Sequence, residues 1–144
     1  MKYFFMKLII YTDGGARNNP GPAGCGAVFF TTDNKKIKEF SRFLGKATNN
    51  QAEYQGVILA LEKAKTLKAT EIDFYLDSKL TVEQLSGNYK VKNKDLASLF
   101  VKVWNLSQSF KKIKYFYIPR EKNKLADKLV NEAIDENIKG LSKL

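Results

Sequence analysis

The sequence predicts an α/β domain built on a mixed sheet covered by helices, and three observations support this. Three strand-like apolar segments follow one another within the first 44 residues, joined by short turns, which favours an antiparallel meander. Beyond residue 48, helical and strand-like segments alternate, so later strands can rejoin the sheet only through helical crossovers. No repeat or low-complexity linker interrupts the 144 residues, so residues 1–144 read as a single domain.

The run Tyr3-Phe4-Phe5-Met6-Lys7-Leu8-Ile9-Ile10 is apolar but too short and too interrupted to span a bilayer, and no small-residue cleavage site follows it. It is expected to be a buried strand of a cytoplasmic protein. The first strand proper covers Lys7 to Thr12 and meets a turn at Asp13-Gly14-Gly15. Gly24 to Thr32 and Lys36 to Leu44 form the next two strands, with Asp33-Asn34 as the hairpin turn. After Thr48-Asn49-Asn50, apolar residues at Ala52, Val57, Leu61, Ala64 and Leu67 recur at helical spacing. Asn50 is the expected N-cap, with Glu53 three residues on as its capping-box partner.

Ile72 to Leu76 is a fourth strand, followed by a short helix from Ser78 to Leu85 that Gly87-Asn88 ends. Leu96, Leu99, Phe100, Val103, Leu106 and Phe110 mark an amphipathic helix from Asp95 to Phe110, on which Trp104 is expected to pack. Ile113 to Ile118 is the fifth strand, stopped by Pro119. A last helix runs from Lys124 to Ile138 with Leu125, Leu129, Ala133 and Ile138 on one face.

Composition narrows the chemistry. There are 25 Lys+Arg against 15 Asp+Glu, a formal charge of +10, which favours a polyanionic partner. One cysteine, Cys25, excludes an intramolecular disulfide, and the absence of histidine excludes Ser-His-Asp and Cys-His catalysis and imidazole metal sites. Carboxylates, hydroxyls, amides, Lys, Arg and Tyr remain.

Asp13 closes strand one and Asp77 closes strand four. If those strands are parallel neighbours, both acids project into one crevice beyond the sheet. Glu53 near the start of the first long helix and Asp127 in the first turn of the last can reach the same place. Such a cluster repels itself unless cations bind, and a set of oxygen ligands suits Mg²⁺ or Mn²⁺. Each acid also has a purely structural reading: Asp13 as a turn residue, Glu53 as a capping-box acid, Asp77 as a helix cap, Asp127 as a partner of the helix dipole.

Local sequence adds specificity. Tyr11-Thr12-Asp13-Gly14-Gly15-Ala16-Arg17-Asn18-Asn19-Pro20-Gly21-Pro22-Ala23-Gly24 closely resembles the opening strand and loop of type 1 ribonuclease H. Thr48-Asn49-Asn50-Gln51-Ala52-Glu53, Leu76-Asp77-Ser78 and Pro119-Arg120-Glu121-Lys122-Asn123-Lys124-Leu125-Ala126-Asp127 resemble that family's second, third and fourth acidic motifs, in order. The resemblance implies the ribonuclease H-like fold: three antiparallel strands plus two parallel ones, flanked by helices. It implies endonucleolytic cleavage of the RNA strand of RNA–DNA hybrids to 5′-phosphate and 3′-hydroxyl ends, with two Mg²⁺ or Mn²⁺ ions held by Asp13, Glu53, Asp77 and Asp127. It also implies substrate contacts from Gly14, Gly15, Ala16, Arg17, Asn19, Thr48, Asn49, Asn50, Gln51, Ser78 and Lys79. Gly14 and Gly15 suit close backbone approach to a substrate, and amides there can read 2′-hydroxyls.

Two departures from the family stand out. Many bacterial relatives place a histidine before the last acid; this chain has Arg120 there, as in the archaeal-like branch, which suits phosphate stabilisation rather than general base work. The basic, tryptophan-rich helix of several members is replaced by Ser86 to Lys94, with Lys90, Lys92 and Lys94 and with Tyr89 as either a stacking or a core residue. Competing readings are cleavage of double-stranded RNA as well, or a non-catalytic hybrid-binding module. Intact acids at all four positions argue against the second. A monomer is expected, and the opening Met1 without polymerase-like flanks favours a free-standing domain over a piece of a reverse transcriptase.

Overall fold

A computed structural model describes residues 6–142, with side chains described through residue 138. The strands are β1 (Lys7–Ala16), β2 (Gly21–Phe30), β3 (Lys36–Ala47), β4 (Glu71–Leu76) and β5 (Lys112–Tyr117). The helices are α1 (Asn49–Thr66), α2 (Lys79–Leu85), α3 (Lys94–Ser107) and α4 (Lys124–Ser142), with a single 3-10 turn at Arg120–Lys122 before α4. One sheet has the order β3-β2-β1-β4-β5. β1, β2 and β3 pair antiparallel, while β1–β4 and β4–β5 are parallel. The predicted meander and the parallel contact of strands one and four are both present. Tyr3-Phe4-Phe5 of the expected first strand lies outside the described residues.

The sheet has two unlike faces. On one, Leu8, Ile10, Phe29, Ile72 and Phe74 pack against Tyr54, Val57, Ile58 and Leu61 of α1, with Leu96 and Val103 of α3 behind. Ile58, Leu59, Ala60 and Leu61 are all buried in succession because this turn of α1 lies between the sheet and α3. Each large apolar side chain buried this way contributes roughly 2 kcal/mol. On the other face, α4 alone among the described elements covers the sheet, with Ala126 and Leu129 against Val28. There, β2 is glycine-rich for a steric reason. A Cβ on Gly26 would lie 2.6 Å from the Leu129 Cβ, so α4 can settle this low only over a strand without side chains.

Several local expectations are corrected. Asp13-Gly14-Gly15 is not a turn: β1 runs on to Ala16, pairing Asp13 with Gly26 and Gly14 with Cys25. The cap of α1 is Thr48 rather than Asn50, and its capping box closes with Gln51 rather than Glu53. The competing pairs are both allowed by the Thr48-to-Glu53 sequence, and the earlier one wins because it leaves Glu53 free to turn toward β1. Ser78, not Asp77, caps α2, accepting from the Thr81 N–H. Trp104 does not pack inside; it is 58% exposed on the outer side of α3, and Tyr89 is likewise exposed.

Candidate active site

The parallel register Tyr11↔Tyr75 carries two residues further to place Asp13 and Asp77 side by side at the same end of adjacent strands. α1 supplies the third acid because its first turn lies directly on β1. A Cβ on Gly14 would fall 2.0 Å from the Ala52 carbonyl oxygen, and one on Gly56 would fall 2.9 Å from the Asp13 carbonyl oxygen. These two absent side chains let helix and strand touch, and Glu53 then meets Asp13. The Gly14 N–H donates to Asp13 Oδ1 at 2.9 Å and to Glu53 Oε1 at 3.1 Å. Gly14 thus faces α1 rather than open space, whereas a Cβ on Gly15 would meet nothing closer than 3.9 Å.

Carboxylate oxygens of Asp13, Glu53 and Asp77 all lie within 4.8 Å of one another. Asp127, in the first turn of α4, lines the same open cleft of about 410 Å³ as the other three acids, together with Ser78, Arg120, Arg17, Asn49 and Asn50. All four sequence-predicted acids therefore line one cleft, with three in a tight group and the fourth outside it. Asp13 and Glu53 are almost wholly buried, Asp77 is half-buried and Asp127 is exposed.

Burial raises the Asp13 carboxyl to about 7 and Glu53 well above the ordinary carboxylate range. Contact between the two opposes the rise of Asp13 and adds to that of Glu53. The charge of Asp77 raises both further. Glu53 Oε2 is buried without a hydrogen-bond partner. An oxygen-only cluster with crowded negative charge and an orphaned buried acceptor fits a hard divalent cation, which replaces the proton and satisfies the free oxygen.

The other predicted residues divide into groups. Asn49 and Asn19 are linked: the Asn49 N–H donates to Asn19 Oδ1 at 3.0 Å, and the Ala16 N–H donates to Asn49 Oδ1 at 2.8 Å. Thr48 and Gln51 are engaged with each other in the α1 cap, yet with Asn19 and Asn50 they border a recess of about 220 Å³ beside the start of α3. Arg17 is tied to α4, donating to Asp135 at 2.5 Å and to Asn131 at 3.2 Å. Lys79 is exposed at the start of α2 and is not among the residues lining the cleft.

One residue escaped the sequence reading. Asn123, only 2% exposed, donates from Nδ2 to the Thr12 carbonyl oxygen at 2.8 Å and to Asp77 Oδ2 at 2.9 Å. Its one outward signal was its place inside the fourth acidic motif, where a polar residue ahead of a helix passes for loop.

The family described as reverse transcriptase-like matches residues 11–133. Bifunctional protein Rv2228c of Mycobacterium tuberculosis is 49% identical over 131 residues, covering 90% of this chain but 36% of that protein, so the chain spans about a third of it. The solved N-terminal RNase H domain of the same protein superposes with a TM-score of 0.89 at 46% identity, over 94% of this chain and 99% of that one. LC11-RNase H1, solved in complex with an RNA/DNA hybrid, gives 0.88 at 43% identity, over 91% and 99% of the two chains. Matches of this extent, on a sheet of this order carrying these acids, establish that the chain belongs to the type 1 ribonuclease H family.

Proposed function

We propose that this domain is a metal-dependent endoribonuclease that hydrolyses the RNA strand of RNA–DNA hybrids, leaving 5′-phosphate and 3′-hydroxyl ends. The observation that carries this reading is the meeting of Asp13, Glu53 and Asp77 oxygens within 4.8 Å, on elements drawn from three distant stretches of chain. Hybrid as substrate is supported by LC11-RNase H1, a relative at 43% identity that was solved with one bound. Asp13, Glu53 and Asp77 would hold one Mg²⁺ or Mn²⁺, and Asp127 with Asp13 a second. Two such ions would supply charge neutralisation at the scissile phosphate and would lower the pKa of an attacking water.

The chain's own groups do the rest. With their side-chain oxygens accepting from the Ala16 and Asn49 N–H groups, Asn49 and Asn19 keep their amide nitrogens as donors suited to 2′-hydroxyl and base acceptors of RNA. Arg120, at the cleft rim, stabilises phosphate charge with its guanidinium. Gly15 leaves backbone accessible at the cleft floor. The net charge of +10 draws the duplex in and makes binding salt-dependent. The lone free thiol, Cys25, suits a cytoplasmic monomer.

A panel of RNA–DNA hybrid, double-stranded RNA and double-stranded DNA, incubated with Mg²⁺ or Mn²⁺, tests this, with Asp77→Asn as the blank. The expected outcome is RNA-strand cleavage of the hybrid and no cutting of duplex DNA, with ends that a ligase accepts after the hybrid is digested. Cleavage of duplex RNA would widen the substrate class. Hybrid binding without cleavage in either metal would make this a binding module instead.

A further inference from the structure

We propose that Asn123 is the positioning residue that holds Asp77 in place for metal binding, and that it links the acids of β1, β4 and α4 into one unit. This rests on the reading of the acidic cluster as a metal site. Asn123 is 2% exposed, and both protons of its amide nitrogen are committed: one to the Thr12 carbonyl oxygen at 2.8 Å, the other to Asp77 Oδ2 at 2.9 Å. Its backbone carbonyl accepts the Asp127 N–H at 3.1 Å. One residue therefore touches the strand end that carries Asp13, the carboxylate of Asp77 and the peptide of Asp127.

The polarity of this arrangement is fixed. Asn123 Oδ1 is buried without a partner, so the amide tolerates a lost acceptor bond in order to keep both donors in use. A flip of the amide would set Oδ1 against a carbonyl oxygen and a carboxylate, two acceptors facing a third. Asp77 sits one residue past the end of β4, beyond the last ladder pair Leu76↔Tyr117. With Oδ2 held by Asn123, its other oxygen is the one left for the cleft. The charge-assisted bond also delocalises part of the negative charge that Asp77 brings beside Asp13 and Glu53.

The test compares Mn²⁺ binding by calorimetry, without substrate, in the wild-type chain, Asn123→Ala and Asn123→Asp. Each protein is held well below its own unfolding midpoint. Asn123→Ala removes the donors, and Asn123→Asp keeps the shape while turning donors into acceptors. Both should bind Mn²⁺ about 10- to 100-fold more weakly, as expected when a group orienting a metal ligand is lost. The Mg²⁺ concentration for half-maximal cleavage should rise in parallel, with KM for the hybrid unchanged within twofold and partial recovery of Asn123→Ala at high Mg²⁺. Loss of fold alone would lower the unfolding midpoint without moving the metal affinity of folded protein. Wild-type Mn²⁺ affinity in both variants would overturn the positioning role while leaving the metal site intact. Failure of the wild-type chain itself to bind Mn²⁺ would overturn the metal site and this proposal with it.

Discussion

The two walls of the cleft carry the same chemistry at very different cost. Asp13 and Glu53 lie on the β1–α1 side, 7% and 5% exposed, while Asp127 on the α4 side stands in solvent in a cleft that Arg120 and Arg17 also line. Water screens Asp127, so its charge is inexpensive with or without a ligand. Asp13 and Glu53 have lost that screening, and without a cation they hold a proton between them. The buried wall therefore creates a demand for positive charge, and the open wall supplies what is needed to receive a bulky polyanion. A site built wholly like the open wall would bind metal weakly; one built wholly like the buried wall would admit no duplex.

The largest expected effect comes from breaking the buried wall. Asp13→Asn should lower hybrid cleavage by about 10³-fold, the equivalent of the several kcal/mol of transition-state charge stabilisation that a metal site supplies. The same change should stabilise the metal-free protein at pH 8. Both Asp13 and Glu53 titrate higher in the folded chain than in the unfolded one, so between pH 4 and about 7 the folded state holds more protons. Wild-type stability without metal should therefore fall as pH rises through that window, by a few kcal/mol at ~1.4 kcal/mol per tenfold change. Thermal melts in EDTA from pH 5 to 8 measure this. Asp13→Asn should flatten the slope, and added Mg²⁺ should raise the wild-type midpoint at pH 8 but not the variant's. A wild-type melting curve indifferent to both pH and Mg²⁺ would contradict the buried wall as described.

Asp127→Asn sharpens the contrast from the other side. Cleavage should fall about 10- to 100-fold, a loss typical of a weakened metal environment rather than a destroyed one. Its metal-free melting midpoint should shift by less than about 0.5 kcal/mol equivalent at any pH, because the charge is solvated. Equal losses in Asp13→Asn and Asp127→Asn, in both rate and pH slope, would erase the distinction between the walls.

The same contrast explains what could be read from the sequence. Strand and helix periodicity reported the sheet, its order of elements and the placement of all four acids at element ends, since those follow from burial patterns along the chain. The glycines were harder. Asp13-Gly14-Gly15 has turn chemistry, and only the approach of Ala52 to within 2.0 Å of a missing Cβ shows that Gly14 is a strand residue making room for a helix. The capping box was ambiguous because Thr48, Asn50, Gln51 and Glu53 offer two overlapping solutions, and only the tertiary pull on Glu53 selects one. Trp104 fits an apolar helical stripe, yet it lies largely exposed on α3. Asn123 was invisible because its partners lie 111 and 46 residues away. Local pattern conveys which residues are apolar and where elements stop, whereas contacts across the sheet edge have no periodicity to announce them.

The smallest effect should come from Arg120, and the reason is its surroundings. Its side chain has no ion-pair or hydrogen-bond partner among the described residues and sits exposed on the 3-10 turn at the cleft rim. Nothing in the fold depends on it, so Arg120→Ala should leave the melting midpoint unchanged. A solvated guanidinium next to a phosphate contributes about 1 kcal/mol or less, which sets the expected loss in turnover at under tenfold. Since arginine stays charged, the pH–rate profile of the variant should keep its shape while dropping in height. Single-turnover cleavage from pH 6 to 9 separates the possibilities: a uniform drop supports charge stabilisation, and wild-type rates would remove Arg120 from the reaction altogether. A changed slope would instead mean that a proton moves through this rim.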